Sequence, residues 1–107
     1  MKYTRNDLKH MHGQDIWIYQ LIFGKSNKGK KARHVRPQKV KVIGNDGWPK
    51  YKKYGKRGQL LDGWYYLTDV IAVSTELEAI EGYNELVQAR IDDLNKQIDE
   101  TKDLMID

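Results

Sequence analysis

The sequence predicts an α+β protein: a small antiparallel sheet, curved or closed into a barrel, with a short helix before it and a long helix after it. Three observations predict this. Residues 15–23, "DIWIYQLIF", are rich in aromatic and β-branched side chains, the composition of a strand. Residues 39–42, "KVKV", alternate lysine with valine, the period of a strand with one wet face. Residues 77–105 place apolar side chains at alternating steps of three and four, the period of a helical seam.

The first helix is expected from Thr4 to Met11. Thr4 caps it, Asp7 stands three residues on in a capping-box position, and Leu8 and Met11 form an i, i+3 apolar pair. Gly13 is a natural stop. The strand over 15–23 follows, then a Gly/Lys/Ser/Asn loop from Gly24 to Lys31. "HVRPQKVKVIG" is the second strand. Pro37 has no N–H to give a ladder, so the strand there is an edge or bulges. Gly44 to Gly58 reads as turn chemistry, with Asp46-Gly47 as a tight-turn signal. Gln59 to Val73 returns as one long β segment in which Gly63 marks a bulge or bend. Trp17, Leu21, Val40, Val42 and alternating residues from Trp64 to Val73 form the expected core. A small SH3-like barrel is the simplest closed form of such a sheet. Residues 1–73 are the basic, β-rich part, and 74–107 the heptad helix of the same folding unit.

That last helix has the strongest local signal. Thr75 and Glu78 make a capping box. Leu77, Ile80, Asn84, Val87, Ile91, Leu94, Ile98, Thr101 and Met105 then follow a heptad, with Asn84, Ile91 and Ile98 at a and Val87 and Leu94 at d. An Asn at a fixes register and oligomer number at some cost in stability. Tyr83 and Leu86 widen the apolar face in the first half, which is expected to pack on the sheet. The second half projects a narrow seam. A single exposed helix of that kind is marginal, so a partner is expected, most simply a homodimer using Asn84, Val87, Ile91, Leu94 and Ile98. The alternative is that the seam lies along its own sheet.

The charge is divided along the chain. Residues 1–58 hold sixteen Lys and Arg against three acids, a net +13, and residues 59–107 hold three against twelve, a net −9. "KSNKGKKARHVRPQ" and "WPKYKKYGKR" concentrate the cations. Lysines neutralise phosphates and exposed rings stack on unpaired bases. The candidate binding residues are therefore Lys25, Lys28, Lys30, Lys31, Arg33 and Arg36 in the first stretch. Trp48, Lys50, Tyr51, Lys52, Lys53, Tyr54, Lys56 and Arg57 supply the second. Two such loops on one small sheet would form a continuous positive surface for nucleic acid, or for a nucleic-acid-handling protein with an acidic surface. His34, inside the basic run, is expected to meet phosphate or solvent.

Enzymatic chemistry is not expected. No nucleophile elbow, P-loop, zinc cluster or dinucleotide fingerprint is present. Asp62 and Asp69 flank the "GWYYLT" segment but face opposite sides of a strand. His10 and His12 do not share a helix face, so no metal and no cofactor is implied. The chain has no cysteine, no apolar run long enough for a membrane span, and no signal-like start. A soluble cytoplasmic protein is the expectation.

"YTRNDLKHMHGQDIWIY" resembles the opening of small SH3-like-barrel domains from phages and mobile elements of Gram-positive bacteria, through Leu8, Gly13, Ile16, Trp17 and Ile18. The segment 54–73 loosely resembles their closing strands, while the Lys-rich loops and the heptad helix depart from the pattern. The resemblance implies a mobile-element accessory protein acting in the host cytoplasm. Proteins of that kind often block a host machine, and anti-CRISPR inhibitors are among them. The functional expectation is a non-enzymatic, anti-defence inhibitor that occludes a nucleic-acid-processing host complex. The alternatives are a nucleic-acid-binding module for phage replication or transcription, and a virion structural or assembly part.

Overall fold

The structure, a computed structural model of the chain, describes residues 1–23, 33–44 and 48–105. It is an α+β fold. Helix α1 (Arg5–Leu8) leads into strands β1 (Asp15–Ile22), β2 (Arg33–Ile43), β3 (Lys50–Tyr54) and β4 (Leu60–Tyr66). A 3-10 turn (Leu67–Asp69), strand β5 (Ile71–Val73) and helix α2 (Glu76–Lys102) complete it. The five strands form one antiparallel sheet in the order β4-β3-β2-β1-β5. The sheet is open. No ladder joins β4 to β5 among the described residues, so of the two expected forms, barrel or curved sheet, closure into a barrel is not what the chain adopts.

Local chemistry sets the elements. Thr4 and Asp7 complete a reciprocal capping box: Thr4 Oγ1 accepts from the Asp7 N–H at 3.2 Å, and Asp7 Oδ2 accepts from the Thr4 N–H at 2.9 Å. The helix is shorter than expected, because the His10 and Met11 N–H groups turn back to carbonyls only three residues behind them. Gly13, at φ 85°, then swings the chain into β1, a conformation that a side chain opposes. Pro37 falls where the expectation put it. Ile18 pairs with Gln38 and Gln20 with Val35, so β2 carries one extra residue around Pro37. Between β3 and β4 the register slips by two residues across the stretch that contains Gly63.

Two assignments differ. "KYKKY" was expected within turn chemistry but is strand β3. Tyr51 decides this by pairing with Val42 on one side and Tyr65 on the other. The expected single β segment over Gln59–Val73 is two strands. Leu67, only 2% exposed, drops into the core, and its N–H donates to the Pro49 carbonyl at 2.9 Å. The 3-10 turn that follows carries the chain across the sheet to the other edge, where β5 pairs with β1. Asp46-Gly47 lies outside the described residues, as does the whole Gly24–Lys31 loop.

The sheet has a core on each face. On the inner face Ile16, Ile18, Val40, Val42, Tyr51 and Ala72 meet Leu8, Met11, Leu67 and Val70. On the outer face Trp17, Tyr19, Ile71 and Val73 meet Ala79, Tyr83 and Leu86 of α2. The expected core residues Val40 and Val42 are fully buried. Trp17 and Leu21 are half-buried. Trp64 and Tyr66 are 49% and 42% exposed. Those two were expected inside; they stand on the outer face beyond the reach of α2.

Thr75 caps α2, its Oγ1 accepting from the Glu78 N–H at 3.2 Å. The Glu78 carboxylate turns to the Ser74 and Thr75 hydroxyls. Gly82 lets the helix settle on β1, since a Cβ there would overlap the Tyr19 ring. At about 100° per residue, the docked residues Ala79, Tyr83 and Leu86 share one face and the heptad seam lies about 100° round from them. The seam is therefore off the sheet from its beginning, with Leu77 65% and Ile98 51% exposed. The helix, about 40 Å long, runs past the sheet and gives the molecule its 62 Å axis.

Val42→Ala is expected to cost about 2 kcal/mol through lost burial and the cavity left behind. Lys41→Ala, on the opposite face of β2, should change stability by no more than about 0.5 kcal/mol. Denaturant midpoints of the two variants decide it, and equal effects would contradict the assignment of faces. Gly82→Ala tests the docking of α2. Alanine is favoured over glycine in a helix interior by about 1 kcal/mol, yet the variant should melt lower than wild type. A higher melting temperature would mean that Tyr19 does not seat the helix.

Candidate functional site

The strand period sorts the second basic stretch onto two faces. Lys50, Lys52 and Tyr54 point outward, and Tyr51 and Lys53 point inward. Tyr51 was expected as an exposed stacking ring. It is 3% exposed in the inner core, its ring 5.4 Å from that of Tyr65, and burial pushes its phenol pKa up. It is a core residue because Val42 and Tyr65 stand directly opposite it. Lys53 lies over the Tyr65 ring at 4.7 Å, on the face away from the other lysines.

The outer face continues across β2 and β4. One transverse row runs Asp15, Lys41, Lys52, Trp64, and the next runs Ile43, Lys50, Tyr66. Lys39 stands opposite Trp17 on the same face. Lys41 and Lys52 thus face each other directly across the ladder. Such like-charge pairs destabilise a sheet by roughly 0.2–1 kcal/mol. Around them stand the rings. Lys50 Nζ is 4.7 Å from the Trp64 ring, Lys39 Nζ is 5.6 Å from the Tyr54 ring, and Trp64 and Tyr66 meet edge to face at 5.1 Å. At the end of β4, Trp48 and Tyr66 line a slot of about 260 Å³ together with Thr68. Trp48 is 52% exposed, with the Arg5 guanidinium 3.9 Å from its ring.

Asp15, the carboxylate of the first row, is engaged by a neighbour on the same face. Tyr54 Oη donates to its Oδ1 at 2.5 Å, and this hydrogen bond pushes the Tyr54 phenol up to about 12. The rows therefore present four lysines, 39, 41, 50 and 52, beside two exposed rings. Lys56 and Arg57 add charge in the exposed β3–β4 turn, which the Gly55 N–H closes by donating to the Gln59 carbonyl at 2.7 Å.

The first basic stretch contributes less. Lys25, Lys28, Lys30 and Lys31 lie outside the described residues. Arg33 forms an ion pair with Asp69 at 3.4 Å. Arg36 is exposed in the β2 bulge. His34, expected at phosphate or solvent, is exposed, and its Nε2 also lies 2.6 Å from Tyr83 Oη with the two rings stacked, which ties β2 to α2. The described members of the two stretches do not merge into one surface of loops. What comes together is the outer face of β2, β3 and β4. Sequence reasoning missed Trp64, Tyr66, Lys39 and Lys41 as members. The run "WYY" held a usable signal: three successive rings cannot share one face of a strand, so at least one points away from the core.

His12 Nδ1 accepts from the Gly44 N–H at 3.0 Å. Among the described residues no group of three or more His, Cys, Asp or Glu side chains stands together. No described helix is long and apolar enough to cross a membrane. No protein-family model, curated protein or solved structure matches the chain.

The Tyr54–Asp15 bond sets a pH dependence. The folded state holds the phenol neutral above its ordinary value of 10.0. The stabilisation is complete below pH 10, where the unfolded chain also keeps the proton. It is lost as pH rises from 10 to about 12. Tyr54→Phe should flatten the fall in stability over that window and remove one late-ionising group from the tyrosinate absorbance titration. Identical alkaline titrations of variant and wild type would refute the hydrogen bond.

Proposed function

We propose that the protein is a non-enzymatic binding protein for single-stranded nucleic acid, and that it binds on the outer face of β2, β3 and β4. The observation that carries this reading is the pair of rows with Lys41 facing Lys52, flanked by the exposed Trp64 and Tyr66. The two like charges face each other across the ladder, and Lys41 Nζ also donates to the Gly13 carbonyl at 3.4 Å. A phosphate between them would turn the repulsion into attraction. The rings beside them offer flat apolar surface to unpaired bases, and every base has a face to stack. The slot between Trp48 and Tyr66 extends the row of rings past the edge of the sheet.

A second reading has the chain block a nucleic-acid-handling host complex as an accessory protein of a mobile element. The acidic stripe of α2 favours it. Glu81, Glu85, Asp92, Asp99 and Asp103 are exposed and fall on one face of the helix by its period. A rod with spaced carboxylates offers a nucleic-acid path a substitute polyanion. In that case the protein would compete with nucleic acid for the host complex while leaving naked nucleic acid alone.

Titration with a single-stranded oligonucleotide, followed by tryptophan fluorescence, separates the two. Binding to the wild type should weaken steeply with salt. Each lysine of the face changed to alanine should lower the slope of log K against log salt by about 0.7. Trp64→Ala should cost about 1–3 kcal/mol of binding, and that loss should persist at high salt. If the wild type leaves the oligonucleotide unbound at low salt, the first reading fails and competition on a host complex becomes the measurement to make.

A further inference from the structure

We propose that α2 pairs antiparallel with α2 of a second copy of this chain, in the register that sets Asn84 beside the partner's Thr101. The seam is open along the helix, with Ile91 44%, Leu94 40% and Ile98 51% exposed. Its two polar members, Asn84 and Thr101, fix the arrangement. In an antiparallel pair of heptad helices each a residue shares a layer with a d residue of the partner. Setting Asn84 at a against the partner's Thr101 at d places Ile91 with the partner's Leu94 and Val87 with the partner's Ile98. From Val87 to Ile98 every apolar position then meets an apolar one, and the polar residues Asn84 and Thr101 meet each other. The Thr101 hydroxyl donates to the Gln97 carbonyl at 2.8 Å, so its lone pairs are left to accept an N–H from the partner's Asn84 amide.

The flanking charges select the same direction. Positions e and g set orientation through the charges they bring together. In the antiparallel register Glu81 lies beside the partner's Lys102, and Gln88 beside the partner's Asn95. In a parallel pair Glu76 would face the partner's Glu81, and no opposite charges would meet. The rest of the acidic stripe, Glu85, Asp92, Asp99 and Asp103, faces away from the seam in both cases.

The groove between the sheet and α2 supplies a second, independent observation. It measures about 570 Å³, and Leu21, Ile22, Phe23, Val87 and Ile91 line it. Val87 and Ile91 belong to the seam, so an antiparallel partner brings its Leu94 and Ile98 to the mouth of this groove. The projecting half of each helix is then covered by the docked half of the other. A parallel pair would join the two projecting halves to each other, away from the grooves. The proposal is independent of the nucleic-acid reading, because it uses a different face of the molecule.

The chain has no cysteine, so introduced cysteines report the register directly. Asn84→Cys and Thr101→Cys should each stay uncrosslinked under mild oxidation, while an equimolar mixture of the two, unfolded and refolded together, should give a disulfide-linked pair. Crosslinking of Asn84→Cys by itself would overturn the antiparallel direction. A mixture that stays uncrosslinked would overturn the register. Sedimentation should show wild type as a dimer and Ile91→Asp, its helical circular dichroism retained, as a monomer. A wild type that remains monomeric at every concentration, or an Ile91→Asp that remains dimeric, would overturn the interface.

Discussion

The seating of Tyr19 against Gly82 sets the rotation of α2, and that rotation governs what the rest of the molecule exposes. Without a side chain at residue 82, the helix comes down on β1 with Ala79, Tyr83 and Leu86 beneath it. An α-helix is rigid about its axis, so fixing one face fixes the others. The heptad seam is carried to the side and the acidic stripe faces away from the sheet. The stacking of His34 on Tyr83 and the cation over Phe23 from Arg90 hold the same rotation farther along.

Strand β1 is covered on both faces. Ile16 and Ile18 enter the inner core, and Trp17 and Tyr19 the outer one. A sheet must cover its apolar face with another layer. Here α1 and the 3-10 turn cover one side, while α2 covers the other over β1 and β5. Beyond β1 and the Arg33–His34 end of β2, no described element covers the outer face. The side chains there suit water: four lysines, with Trp64 and Tyr66 as the large rings left at the surface. The basic–aromatic face is thus a direct result of where the helix ends its coverage. It also places the positive charge on the sheet and the negative charge on the helix, in line with the division of charge along the chain.

Within that face the electrostatics are arranged rather than balanced. Asp15 is the acid of the rows, and Tyr54 hydrogen-bonds to it. Of the two lysines opposite each other on β2 and β3, Lys52 has the Trp64 ring as its next neighbour on β4, and Lys41 has Asp15 on β1. A sheet selected for stability alone would place opposite charges across such a ladder. The proposed binding function gives the repulsion a use, since phosphate charge relieves it.

Much of the fold was legible in the sequence because its signals are local. The Thr4–Asp7 capping box, the Thr75 cap, the alternation of valine and lysine in β2, the irregularity at Pro37 and the heptad of α2 each follow from residues within a few positions of one another. The candidate site was not legible in the same way. Tyr51 and Trp64 look alike in sequence as rings near lysines. Only the pairing of Tyr51 with Val42 puts one inside, and only the limited reach of α2 leaves the other outside. The same holds for "KYKKY", which becomes a strand because a neighbour exists on each side of it. By itself the sequence determined the periodicity of each segment and the charge each carries, since these depend on neighbours along the chain. The tertiary structure alone decided which strand faces are covered, where the 3-10 turn interrupts the last β segment, and which side of α2 is left bare. Those outcomes depend on contacts between residues far apart in sequence, and local pattern carries no record of them.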